Sequence, residues 1–129
     1  MRKLIVLVVD DNMANRLLPT FILKSLHPQV EVYDVGGGQD ALDFIETHHV
    51  THVLLDISMP GLDGIQVAQM IKEKSIFSSI SLIAYTADSS MLDGPYAQAL
   101  GFDDVLLKPL KSEALLKSLG LTPTTPLGA

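Results

Sequence analysis

The chain of 129 residues contains no cysteine. Disulfides and thiolate chemistry are excluded, and a reducing compartment suits the composition. Basic residues are also scarce: nine lysines and arginines stand against fifteen aspartates and glutamates, a formal net charge of −6. No Lys/Arg cluster offers a footprint for a phosphate backbone, so direct nucleic-acid binding by this segment is not expected. Long apolar runs are missing too. The first, after Met1-Arg2-Lys3, has only six residues before Asp10, far short of the roughly 18 that span a bilayer and too short for a signal peptide. The reading is a cytoplasmic protein with no membrane partner. Gly36-Gly37-Gly38 lacks the Lys-Ser/Thr of a phosphate-binding loop and reads as a flexible connection. There is no internal repeat.

What is present is a hydrophobic content of 47%, which fits one compact domain with a genuine core. Short β-branched runs alternate with amphipathic segments. Strands are expected at 3–9, 30–35, 52–56, 81–87 and 104–108. Four are almost continuously apolar, as in a parallel sheet covered on both faces, whereas the second, with Glu31 and Asp34, looks like an edge. Ala14, Leu17, Leu18, Phe21 and Ile22 follow the spacing of a helical stripe, with Asn12 as N-cap and Pro19 expected to kink or interrupt the helix. Further helices are marked by Ala41, Leu42 and Ile45, then by Ile65, Ala68 and Ile71. A short one runs from Gly94-Pro95 to Leu100, stopped by Gly101, and the last runs from Ser112 to Leu119, ending at Gly120. The alternation predicts an α/β fold, an open doubly wound parallel sheet with right-handed crossovers; in a (βα)5 flavodoxin-like sheet of order 2-1-3-4-5, strands one, three, four and five are consecutive neighbours. The domain spans 1–120, and 121–129, with two prolines and no periodicity, reads as a tail or the start of a linker.

In such sheets ligands bind at the carboxyl ends of the strands. Those ends carry Asp10-Asp11, Asp56, Thr86 and Lys108-Pro109. Three clustered carboxylates repel one another unless a cation neutralises them. With neither cysteine nor histidine at these ends, an all-oxygen set suits Mg2+ (or Mn2+) better than zinc. A divalent ion beside Asp56 points to phosphoryl chemistry, for which an aspartate is a competent nucleophile. Taken singly, Asp10-Asp11 could be a cap and a solvated neighbour, Thr86 a strand residue and Lys108-Pro109 an ordinary strand exit. Their convergence makes the site. His48, His49 and His52 straddle a helix end and a strand and are not expected to bind zinc. Met59 and Met70 read as packing residues.

The motifs "VVDDN", "LLDISMPGLDG", "IAYTA" and "LLKP", in this order from about Leu4 to Leu119, resemble the receiver domain of two-component response regulators. The resemblance implies that Asp56 is the phosphoacceptor and that Asp10 and Asp11 bind Mg2+, with the carbonyl of Ser58 completing the protein's share. Thr86 would donate to the phosphoryl group and Lys108 would pair with it, aimed by a cis peptide bond to Pro109. Met59-Pro60 and Gly64 would shape the loop over the site, and Ser58 and Asp88 stand where the family tunes dephosphorylation. A histidine kinase or phosphotransfer protein would be the donor, and the switched surface would be helix four, strand five and helix five. The chain departs from the pattern at Val105, where the family usually has an aromatic residue; Tyr85 or Phe102 are the candidates to replace it. Two rival readings differ in class. An Asp-nucleophile phosphatase is disfavoured because the second residue after the nucleophile is Ser58 rather than an acid, and a non-phosphorylated scaffold receiver is disfavoured because the site residues are all present.

Overall fold

A computed structural model of the chain describes residues 3–121; the tail from residue 122 onward lies outside the described residues. Five strands, β1 (Ile5–Val9), β2 (Glu31–Val35), β3 (His52–Asp56), β4 (Ser81–Thr86) and β5 (Asp104–Leu107), alternate with five helices, α1 (Met13–Leu26), α2 (Gly38–Thr47), α3 (Gly64–Lys72), α4 (Gly94–Ala99) and α5 (Ser112–Ser118). All strand pairs are parallel, and the sheet order is β2-β1-β3-β4-β5. This is the doubly wound architecture that the alternation predicts. Short 3-10 turns at Ser75–Phe77 and Ser89–Leu92 precede β4 and α4.

Both faces of the central strands β1, β3 and β4 are buried. Alternate residues of the central strands divide between two clusters: Leu7, Val9, Val53, Leu55, Leu82 and Ala84 pack with α2 and α3 on one face. Val6, Val8, Leu54, Ile83, Tyr85 and Leu106 pack with α1 and α5 on the other. Each fully buried aliphatic side chain contributes about 1.5–3 kcal/mol relative to exposure. Thr51, also fully buried, stands immediately before β3, its hydroxyl accepting from the Ile5 N–H at 2.9 Å and donating to the Ile5 carbonyl at 3.0 Å.

Four local expectations are corrected. Pro19 does not interrupt α1, which runs through it as one helix of 14 residues. The buried side of α1 is also rotated from the stripe read in sequence. Pro19 and Leu23 are buried, with Ile22 and Leu26 packed alongside, while Leu17 and Phe21 are 45% and 70% exposed. Helical spacing alone left two overlapping stripes, and contact with β2 and α5 selects the one containing the proline. The glycine run is packed rather than loose: a Cβ on Gly38 would stand 2.7 Å from the Leu62 carbonyl oxygen and 2.7 Å from Val67 Cγ2. Met59 is buried as expected, but Met70 is 40% exposed. No helix among the described residues is long and apolar enough to cross a membrane.

Candidate functional site

The carboxyl ends of β1, β3, β4 and β5 open onto a depression of about 520 Å³ lined by Asp10, Asp11, Asp56, Ser58, Thr86 and Lys108, with Asn12, Asn15 and Asp88 at its rim. All six residues singled out in the sequence are brought together. Strand alternation aims them: Asp10 lies two residues beyond Val8, Asp56 two beyond Leu54 and Lys108 two beyond Leu106, all on the α1 and α5 side of the sheet.

Asp10 is fully buried and Asp56 is 5% exposed, so two charges of one sign stand at the edge of an apolar core. Three devices hold them. The backbone N–H of Asn12 donates to Asp10 Oδ1 at 2.8 Å, and that of Ser58 donates to Asp56 Oδ1 at 3.3 Å. Lys108 Nζ lies 2.8 Å from Asp10 Oδ2 and 3.4 Å from Asp56 Oδ1. Burial pushes the Asp56 carboxyl up to about 6, and the Asp10 charge adds to the rise; Lys108 and the Ser58 N–H pull it partly back. Thr86, 5% exposed, accepts from the Asp88 N–H through Oγ1 at 3.1 Å, which ties the start of the β4–α4 loop to the site. The Lys108–Pro109 peptide bond is cis.

Oxygens of Asp10, Asp11 and Asp56, one from each, lie within 4.8 Å of one another. Ligands across an octahedral Mg2+ are roughly 4.2 Å apart, given metal–oxygen distances of about 2.1 Å. Asp10 Oδ2 is buried and makes no hydrogen bond, the Lys108 ammonium at 2.8 Å being its charge partner. A buried carboxylate oxygen in that state is costly. Two buried acids plus one exposed acid form a hard donor set with an unmet charge, and they fit a hard dication. The histidines do not compete: the His48 ring stacks on Phe44 at 4.1 Å, and among the described residues the acidic trio is the group that could hold a metal ion.

The loop after β3 is shaped by its glycines. Gly61, following Pro60, has φ +75°, a left-handed conformation that favours glycine. At Gly64 a Cβ would stand 2.2 Å from the Asp56 carbonyl oxygen, so α3 reaches this close to the site only with glycine there. Asp63 then caps α3 in a reciprocal box with Gln66.

Sequence reasoning missed two residues that support the site. Arg16 donates from Nε to Asp34 at 2.7 Å and from a terminal nitrogen to the Asp10 carbonyl at 3.1 Å, fixing the end of β1 between α1 and β2. A Cβ on Gly36 would come 3.1 Å from that guanidinium. Tyr85 enters the sequence reading only as a replacement aromatic. It is fully buried, with Lys108 Nζ 4.9 Å from its ring centroid, and burial, then the charges of Asp10 and Asp56, push its hydroxyl up to about 12. Phe102 is 2% exposed inside the α3/α4 core. Val105 is half-buried against the same core, so neither aromatic stands on the surface in its place.

Residues 6–120 match the response regulator receiver domain family. The chain is 33% identical over 113 residues to the cyclic di-GMP phosphodiesterase response regulator RpfG of Xanthomonas campestris, a match that covers 85% of this chain and 29% of that one. It is 33% identical over 114 residues to protein PilG of Pseudomonas aeruginosa, covering 88% of this chain and 83% of that protein. The fold superimposes with a TM-score of 0.78, at 26% identity and covering 89% of this chain and 85% of the other, on the co-crystal structure of the Saccharomyces cerevisiae histidine phosphotransfer protein Ypd1 with the receiver domain of the response regulator Ssk1. Sheet order, acidic strand ends and sequence match agree, and the chain belongs to the receiver domain family of two-component response regulators, in which phosphorylation on aspartate is the general mechanism.

Proposed function

We propose that Asp56 is the phosphoacceptor of this receiver, with Mg2+ (or Mn2+) held by Asp10, Asp11, Asp56 and the Ser58 carbonyl. One observation carries the reading: Asp56 ends β3 with Lys108 Nζ 3.4 Å from its Oδ1 and ligand oxygens of Asp10 and Asp11 within 4.8 Å. An Asp56 oxygen attacks the phosphorus of a phosphohistidine; a P–O bond forms, the P–N bond breaks, and the departing imidazole takes up a proton. The bound cation supplies neutralisation of charge on the transferred group. Asp10 and Asp11 hold that cation, Lys108 swings from the carboxylates to a phosphoryl oxygen, and the Thr86 hydroxyl donates to another. Thr86 then draws in the loop that its Oγ1 already joins through Asp88, and the surface of α4, β5 and α5 changes.

The domain covers 1–120, with 121–129 a tail or linker. It acts as a switch that catalyses its own phosphorylation and dephosphorylation rather than as a phosphatase, because Ser58 stands where a general acid would be needed. The donor is a histidine kinase or phosphotransfer protein in the cytoplasm, a reading supported by the pairing of the Ssk1 receiver with Ypd1. Beryllofluoride with Mg2+ tests it: one equivalent should bind to the wild type and none to Asp56→Asn. Binding to the Asn variant, or none to either, would overturn the assignment.

A further inference from the structure

Pro19 has no N–H, so the carbonyl of Asn15, four residues earlier in α1, lacks its intrahelical donor. The Tyr85 hydroxyl, from β4, donates to that carbonyl at 3.2 Å. The same residue stands level with Asp56 on the neighbouring strand, and its ring faces Lys108, whose Nζ is 4.9 Å from the centroid. A lysine at this site has a flexible four-carbon stem and two carboxylates to choose between, at 2.8 and 3.4 Å. A buried aromatic face attracts an ammonium electrostatically and gives it a floor. Leucine or valine would keep the position apolar and would do neither job. The hydroxyl bond fixes the far end of the ring against α1, and it fastens the rim of the depression, where Asn12 and Asn15 lie, to the strand that ends in Thr86.

We propose that Tyr85 is a positioning residue for phosphoryl transfer: its ring face holds Lys108 between Asp10 and Asp56, and its hydroxyl, bound to the carbonyl that Pro19 leaves open, ties α1 to the strand that carries the ring. The proposal rests on the assignment of Asp56 and Lys108 above. Two substitutions separate the parts. Tyr85→Phe keeps the ring and removes the anchor; Tyr85→Leu removes both.

The full chain is studied by NMR with labelled lysine, and by acetyl phosphate modification with Mg2+. In the wild type and Tyr85→Phe the ε protons of Lys108 are shifted upfield by the ring, and in Tyr85→Leu the shift is lost. The Leu variant is modified about tenfold more slowly at saturating donor, the loss of one desolvated cation–π contact, with Mg2+ affinity held within about twofold. The Phe variant keeps its rate within about threefold, and its amides around Asn15 exchange about tenfold faster, the loss of one hydrogen bond. An unshifted Lys108 in the wild type overturns the proposal, as does a Leu variant modified at the wild-type rate. A Leu variant whose Mg2+ affinity falls in step with its rate also overturns it, by showing that the whole site has collapsed. The ring shift is read without any donor, so it stands or falls apart from the phosphoacceptor assignment, which fails if wild-type Asp56 takes no phosphoryl group.

Discussion

Replacing Asp56 by asparagine should stabilise the protein. Asp56 is 5% exposed, and its carboxyl is raised from 3.8 to about 6, by burial first and by Asp10 second. Between 3.8 and about 6 the folded protein holds a proton that the unfolded chain has released, so stability is complete below this window and falls as pH rises through it. At about 1.4 kcal/mol per pH unit, the ionised Asp56 costs the folded state roughly 3 kcal/mol above the window. The amide that replaces it has no charge to desolvate. In EDTA at neutral pH, Asp56→Asn should therefore unfold about 10 °C higher than the wild type, or show a gain of about 3 kcal/mol in urea. The gap should shrink as the buffer is acidified through pH 6 and close near 3.8. Mg2+ should narrow it at neutral pH, because the cation stabilises the folded wild type by mass action. An Asn variant of equal or lower stability in EDTA, or a gain that does not depend on pH, would refute the electrostatic account of the site.

Lys108→Met removes the ammonium that lies 2.8 Å from Asp10 and 3.4 Å from Asp56; leaving the two buried acids without it should cost about 3 kcal/mol at neutral pH, read by urea denaturation, with part restored by Mg2+. Gly64→Ala puts a methyl group 2.2 Å from the Asp56 carbonyl oxygen, so the variant should lose about 2–4 kcal/mol and take up phosphoryl groups more slowly, measured by denaturation and by donor kinetics.

The strands and their ends were legible because they follow from rules of short range. Continuous apolar runs mark buried parallel strands, and the residue after such a run falls at the carboxyl edge, where Asp10, Asp56 and Thr86 are found. The short α4 was equally legible, since Gly94-Pro95 starts it and Gly101, with φ +101°, ends it. What could not be read depends on pairs far apart in the chain. Arg16 reaches Asp34 across 18 positions and Tyr85 reaches Asn15 across 70, and no local pattern announces either. The face of α1 was misread for the same reason: proline is a poor helix residue on propensity alone, yet here the Asn15 carbonyl that it leaves open has a distant donor. The glycine run was legible as a turn, but its tight fit depends on Leu62 and Val67, which belong to another part of the chain.

The most direct test of the central claim is to place the phosphoryl group. The purified chain is incubated with a phosphorylated histidine phosphotransfer protein and Mg2+, then digested and mapped by mass spectrometry. The prediction is one hydroxylamine-sensitive phosphoryl group on the peptide containing Asp56, absent when EDTA is present and absent in Asp56→Asn. A phosphoryl group on any other residue, or transfer that persists in the Asn variant, would contradict it.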